Sequence, residues 1–217
     1  MKPKVMMHTQ VSLDGKIAGF EDAGIYYSLA YRFGADMVLF GSETVLAATA
    51  QHPPETETDF IKPVIDPNDN RPYGVIPDSR GRLHNLHVAT NMGYLKDLII
   101  LVSETTPQSY LDYLTTRHYD FIVAGKDHVD YRKAFDILND RYDCQIIRTD
   151  SGGALTNVLL EQGLVDEICL IVSPLLVGQT IPHVFRSLSL QNSIPLELQH
   201  SEVVDCNYLF LIYRVLR

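Results

Sequence analysis

One stretch, residues 144–167, constrains the fold more than any other. Residues 144–148 form a short run with two isoleucines, suited to a buried strand. Asp150-Ser151-Gly152-Gly153 follows, where glycines let the backbone turn sharply and approach a ligand closely. Leu155, Val158, Leu159 and Gln162 then recur at helical spacing and predict one buried helix face. Gly163 suits the position just past the helix end, and a further strand follows Asp166 and Glu167. A strand feeding a helix N-terminus through glycines presents free N–H groups and a partial charge of roughly +0.5, which can hold a diphosphate. An ordinary strand-to-helix loop has the same local features, and the spacing is neither G-x-G-x-x-G nor a P-loop.

The rest of the chain repeats this alternation. Apolar runs at 4–11, 36–40, 73–77, 85–90, 98–102, 121–124, 168–172, 196–204 and 208–216 predict strands. Helices are expected at 21–34 (Ile25, Leu29 and Phe33 inward), 107–117 and 131–142 (Phe135 and Leu138 inward). Another starts after Gly41, with Ser42 as its N-cap. Such alternation implies an α/β fold with a mainly parallel sheet flanked by helices, and the last two strands add an antiparallel edge. Residues 52–72, rich in proline and acids, show neither period and read as a surface excursion, leaving 1–217 as a single domain. Two strand–glycine–helix junctions, after residues 40 and 150, then belong at carboxyl ends of strands, where ligands of open α/β sheets collect.

Composition removes several classes of function. A net charge of −9 argues against a nucleic-acid partner, which needs a basic face. Cys144, Cys169 and Cys206 are few, odd in number and form no C-x-x-C pair, as expected of a reducing cytoplasm. No apolar run reaches membrane-spanning length. His84 and His87, read on a strand, point to opposite faces, so no metal site is expected. No Ser/His/Asp set, carboxylate pair or Cys/His cluster can be assembled from the motifs.

Three polar segments remain. Ser12-Leu13-Asp14-Gly15-Lys16-Ile17-Ala18 crowds three polar groups around a turn and is equally compatible with a plain hairpin. Asp78-Ser79-Arg80-Gly81-Arg82 ends a strand with two arginines, which either grip a phosphate or lie solvated. Gly125-Lys126 follows another strand.

These segments, taken in order, resemble a known family. Ser12 to Ala18, Gly34-Ala35-Asp36 through Gly41-Ser42-x-Thr44-Val45-Leu46, Arg71-Pro72 with Asp78 to Leu83, Gly152-Gly153-x-Leu155 with Leu159-Leu160-x-x-Gly163-Leu164-Val165-Asp166-Glu167, and Pro174-Leu175-Leu176-Val177-Gly178 match the reductase domain of the riboflavin-biosynthesis deaminase-reductase. The resemblance implies a dihydrofolate-reductase-like fold and an NADPH-dependent reductase. Such an enzyme reduces the ribosyl group of a ribosylamino-pyrimidine 5′-phosphate, or a related heterocycle, to ribityl. No H-x-E with P-C-x-x-C zinc set is present, so a stand-alone reductase without the deaminase domain is expected. By the same resemblance, Gly41, Ser42, Thr44, Val45, Leu46, Asp78, Ser79, Arg80, Gly81, Gly125, Asp150, Ser151, Gly152, Gly153, Ala154 and Leu155 contact the cofactor. Ser12, Leu13, Asp14 and Lys16 meet the substrate.

Asp14 is the expected catalytic residue, orienting the substrate and aiding proton delivery, although its Asp-Gly context also suits a structural turn. Arg80 and Arg82 favour a 2′-phosphate, and the long final strand together with the family favours a homodimer. The chain departs from the family at Ala47-Ala48-Thr49, where an acidic segment is usual, and at Asp150, where glutamate is usual. A dinucleotide-binding or regulatory module without turnover is therefore the alternative.

Overall fold

Parallel strand pairing dominates the architecture. The computed structural model describes residues 2–19, 24–60, 64–66, 68–151, 153–178, 180–205 and 207–217. In chain order the elements are β1 (Lys4–Ser12), α1 (Gly24–Ala30), β2 (Met37–Leu39), α2 (Ser42–Thr49), β3 (Tyr73–Pro77), α3 (His87–Thr90), β4 (Asp97–Val102), α4 (Gln108–Thr116), β5 (Asp120–Val123), α5 (Tyr131–Tyr142), β6 (Ile146–Thr149), α6 (Ala154–Glu161), β7 (Glu167–Ser173), β8 (Leu196–Val204) and β9 (Tyr208–Val215). They fall into two compact units, one of Asp36–Gln145 with the extreme N-terminus and one of Lys4–Ala35 with Ile146–Arg217.

In the first unit the strand order is β5-β4-β3-β2, all parallel. Every residue of β4 is buried, as an unbroken apolar run demands of a central parallel strand. Val38, Ile76, Leu98, Ile100 and Val102 pack with Leu83, Leu86, Tyr110 and Leu114 into one core. Pro107 immediately precedes α4, and Asp130 caps α5 by accepting from the Lys133 N–H at 3.1 Å. Phe135 and Leu138 are fully buried, as their spacing predicts.

In the second unit the order is β6-β1-β7-β9-β8, parallel through the first three strands and antiparallel through the last two. Strand β1 is buried at every position after Lys4. Asp166 clasps it: the Val5 N–H donates to Asp166 Oδ2 at 2.8 Å, and the Asp166 N–H donates to the Val5 carbonyl at 2.8 Å. Leu29 is buried in α1 against Met6, Ile171 and Phe210, with Ile25 and Phe33 packed on the same cluster. Residues 20–23, where the expected helix begins, lie outside the described residues. The fold is thus the expected α/β arrangement, with a mainly parallel sheet and an antiparallel C-terminal edge.

The structure corrects several local expectations. Residues 85–90 are not a strand: Asn85 sits at a left-handed φ of 56°, Leu86 is buried at the N-cap position of α3, and Ala89 is buried within it. His84 packs on the Tyr110 and Tyr113 rings, whereas His87 Nδ1 lies 3.7 Å from Glu55 Oε1. Ser42 is the first residue of α2 rather than its N-cap; Gly41 holds that position. Helix α6 buries Leu155, Thr156, Asn157, Leu159 and Leu160, while Val158 is exposed.

The surface excursion has a firm anchor. Glu55 accepts from Tyr113 Oη at 2.7 Å, the Leu86 N–H at 3.0 Å and Arg117 Nε at 3.1 Å. Its burial works to raise the carboxyl, but these donors outweigh it and hold Glu55 below the usual glutamate range.

After β5 the chain reverses at Gly125, whose φ is 90°. A Cβ there would stand 2.8 Å from the Asp130 backbone N and closer still to the His128 carbonyl oxygen. Gly125→Ala is therefore expected to cost about 3 kcal/mol, strain and overpacking acting together. Urea denaturation followed by far-UV circular dichroism measures it; a loss under about 1 kcal/mol contradicts this placement.

Candidate functional site

Parallel strands deliver their carboxyl ends to one edge, so within each unit the loops after those strands share a rim. In the first unit the rim carries Gly41 after β2, residues 78–82 after β3, 103–106 after β4 and Gly125 after β5. Asp78 is buried, and its Oδ2 accepts from the N–H groups of Arg82 at 2.7 Å and Leu83 at 2.8 Å. Ser79 is committed twice: its hydroxyl accepts from the Val129 N–H at 3.1 Å and its carbonyl from Thr106 Oγ1 at 2.9 Å. A Cβ on Gly81 would reach within 2.8 Å of the Tyr110 side chain, which forces glycine there. The Glu104 N–H donates to the Gly125 carbonyl at 3.0 Å, tying two rim loops together.

These bonds build the rim and leave few free groups on it. Val45 is buried and Leu46 packs on the same core, which seats α2; Thr44 is exposed. Arg82 Nη2 pairs with Glu43 Oε1 at 2.6 Å. Arg80 is exposed and, among the described residues, has neither a hydrogen bond nor an ion pair.

In the second unit the rim carries residues 12–16 after β1, the bend after β6 and residues 174–178 after β7. Asp14 is its organiser. Ser12 Oγ donates to Asp14 Oδ1 at 2.6 Å, and the Val177 and Gly178 N–H groups donate to Oδ1 and Oδ2 at 3.0 and 2.9 Å. The Ser12 bond foremost, then the two backbone donors, hold this carboxyl well below the usual range. Asp14 is thus a fixed anion that accepts; it carries no proton to deliver near neutrality. Leu13 is exposed, its N–H donating to the Leu175 carbonyl at 2.9 Å. Lys16 is buried, with Nζ 2.9 Å from His183 Nε2. Gln10 Nε2 donates to Ser173 Oγ at 2.9 Å, linking neighbouring strand ends.

At the bend after β6, Arg148 grips Asp150 through two parallel bonds, Nε to Oδ1 at 2.7 Å and Nη2 to Oδ2 at 3.0 Å. Its Nη1 donates to the Ala30 carbonyl at 2.8 Å. Thr156 Oγ1 donates to the Ser151 carbonyl, fastening the bend to α6. Gly152 lies outside the described residues. Gly153 is the N-cap position, and a Cβ there would meet nothing within 4 Å, so this side of the bend is open. Ala154 is exposed and Leu155 is buried. Sequence reasoning missed His183, Gln10 and Glu55. Their partners lie 167, 163 and 31 to 62 residues away, and no local pattern announces such pairs.

Fold and rims define an α/β protein whose polar loops stand at the carboxyl ends of parallel strands. The chain belongs to the RibD C-terminal domain family, whose model matches residues 3–210. It is 29% identical over 190 residues to the 2,5-diamino-6-ribosylamino-4(3H)-pyrimidinone 5′-phosphate reductase of Methanothermobacter thermautotrophicus, covering 82% of this chain and 81% of the relative. It is 27% identical over 191 residues to the Archaeoglobus fulgidus reductase of the same name, covering 82% and 83%. In fold it is similar to the crystal structure of a pyrimidine reductase-like protein from Corynebacterium diphtheriae, with a TM-score of 0.72, 18% identity, and coverage of 99% of this chain and 92% of that one.

The second unit also contains a buried titratable group. His8 on β1 is fully buried, donates through Nε2 to the Tyr26 carbonyl at 3.1 Å and leaves Nδ1 without a partner. Burial drives its pKa down to about 4, against the smaller opposing effect of the Tyr26 bond. A depressed histidine holds fewer protons folded than unfolded, so stability is complete above pH 6.5 and falls as pH drops toward 4. About 2 kcal/mol should be lost by pH 5 through this residue alone. Urea titrations at pH 7.5 and 5 measure it, and His8→Gln should remove that component; an unchanged pH dependence contradicts it.

Proposed function

We propose that this protein is an NADPH-dependent reductase that transfers a hydride to a ribosylamino-pyrimidine 5′-phosphate or a closely related heterocycle. The observation that carries the reading is membership of the RibD C-terminal domain family across nearly the whole chain, with two relatives named as such reductases. Each unit's rim, taken by itself, offers groups that suit a phosphorylated ligand. On the first rim, the exposed Thr44 beside Gly41 and Ser42 and the unpaired Arg80 suit a phosphate. On the second, the open side of Gly153 and the backbone of Ser151, Ala154 and Leu155 suit a diphosphate. Val45, Leu46, Asp78, Ser79, Gly81, Gly125 and Asp150 act by holding these loops in shape.

When bound, the nicotinamide supplies the hydride. The chain's own residues supply position, and fixing the reactants face to face contributes roughly 7–11 kcal/mol. Ser12, Leu13, Asp14 and Lys16 form the substrate rim. Asp14 is the proposed catalytic residue, acting as an oriented acceptor, and the Lys16 ammonium meets substrate oxygens. The acidic net charge supports a small-molecule substrate rather than nucleic acid. Among the described residues no helix is long and apolar enough to cross a membrane. The few scattered cysteines support a reducing cytoplasm. The exposed apolar side chains Leu198 and Val203 on edge strand β8 support a homodimer. Ala47 and Ala48, both exposed on α2, favour the second reading, a dinucleotide-binding module without turnover.

Absorbance at 340 nm separates the two readings. Wild type should oxidise NADPH when given 2,5-diamino-6-ribosylamino-4(3H)-pyrimidinone 5′-phosphate; binding without oxidation selects the module. Asp14→Ala should keep NADPH binding while kcat falls about 100-fold, because the rim loops it ties lose their registry. Arg80→Ala should weaken NADPH about tenfold and leave NADH unchanged, read by cofactor fluorescence. Equal losses for both cofactors would show that Arg80 does not meet the 2′-phosphate.

A further inference from the structure

Lys16 sits in an unusual electrostatic position. It is only 5% exposed, yet among the described residues no carboxylate lies within ion-pair distance of its ammonium. Its neighbour Asp14 is occupied by Ser12, Val177 and Gly178. Burying an ammonium without a counter-charge is costly unless its donors are used. One donor is used, by His183 Nε2 at 2.9 Å. An ammonium has three donors and no acceptor, so Nε2 must be the unprotonated nitrogen and the ring must carry its proton on Nδ1.

The backbone already clasps the two segments without this contact. Lys16 and His183 form an isolated antiparallel bridge. The Ile17 N–H donates to the Pro182 carbonyl at 3.2 Å, and the Val184 N–H to the Gly15 carbonyl at 3.0 Å. The imidazole is exposed, so it adds nothing to a core. Its structural consequence is to fix the direction of the Lys16 side chain.

We propose that His183 is a positioning residue for Lys16: it takes one ammonium donor, holds the buried side chain in one rotamer and leaves the other two donors for an oxygen-rich group of the substrate. This rests on the reductase reading above. The unpaired ammonium is then a preformed half of an ion pair that an anionic or polyhydroxylated substrate completes. The NADPH affinity owes nothing to this pair.

Two measurements on the full chain test it. In protein labelled with ¹⁵N-histidine, His183 should show the Nδ1–H tautomer, and Lys16→Met should shift its Nε2 resonance. In steady-state assays, His183→Leu should raise KM for the pyrimidine phosphate roughly tenfold, the loss of one hydrogen bond to a charged group, with NADPH affinity unchanged. His183→Gln, whose amide oxygen can accept, should recover most of that loss. Kinetics of His183→Leu within twofold of wild type, or a glutamine variant as impaired as the leucine one, overturns the proposal. So does an Nε2–H tautomer. If wild type turns over no pyrimidine substrate, the reductase reading fails by itself. The pairing is then judged by the spectra, and His183 resonances unmoved by Lys16→Met overturn it.

Discussion

The parallel pairing of β1 with β6 and β7 is the constraint on which the second unit depends. Its register, Met7 opposite Thr149 and Ser12 opposite Ser173, sets the strand ends where their following loops can bond to one another. Asp14 can reach the N–H groups of Val177 and Gly178 because of that alignment. The same logic runs through β2, β3, β4 and β5 in the first unit, where Pro77 lies opposite Leu101 and the loops beyond them meet at Ser79 and Thr106. A buried central strand supplies rigidity, and the loops inherit it.

The acids of the family motifs share one fate. Asp14, Asp78 and Asp150 each spend their oxygens on donors from the chain itself: three donors for Asp14, two backbone N–H groups for Asp78, and the forked guanidinium of Arg148 for Asp150. A carboxylate held in this way stays ionised, is fixed in direction and ties its loops in place. The groups left over are backbone N–H groups at the bends, Arg80 in the first unit and the Lys16 ammonium in the second.

Much of the fold was legible because each β-run is continuous and apolar and each helix has a clear inward stripe. Strand β4 and helix α5 show this directly: Leu98 to Val102 read as an apolar strand and are buried throughout, and Phe135 and Leu138 face inward as their spacing predicts. Residues 85–90 misled because Leu, Val and Ala fit either period over so short a span, and only the left-handed Asn85 decides between them. Helix α6 lies where its spacing predicts but is turned: Thr156 and Asn157 are buried and hydrogen-bond to Ser151 and Ser187, while Val158 and Gln162 face out. The candidate site was visible as segments and invisible as roles. Local pattern cannot tell a carboxylate that binds ligand from one that ties loops, and Lys16 acquires its partner from 167 residues away.

Amide hydrogen exchange with and without NADPH tests most directly the proposal that, in each unit, the carboxyl-end loops of the parallel strands take part in cofactor binding. Protection is predicted in the segments that follow β2, β3 and β6, with the loops preceding β5 and β7 at the opposite strand ends unchanged. Protection confined to those opposite ends, or none at saturating cofactor, would contradict it.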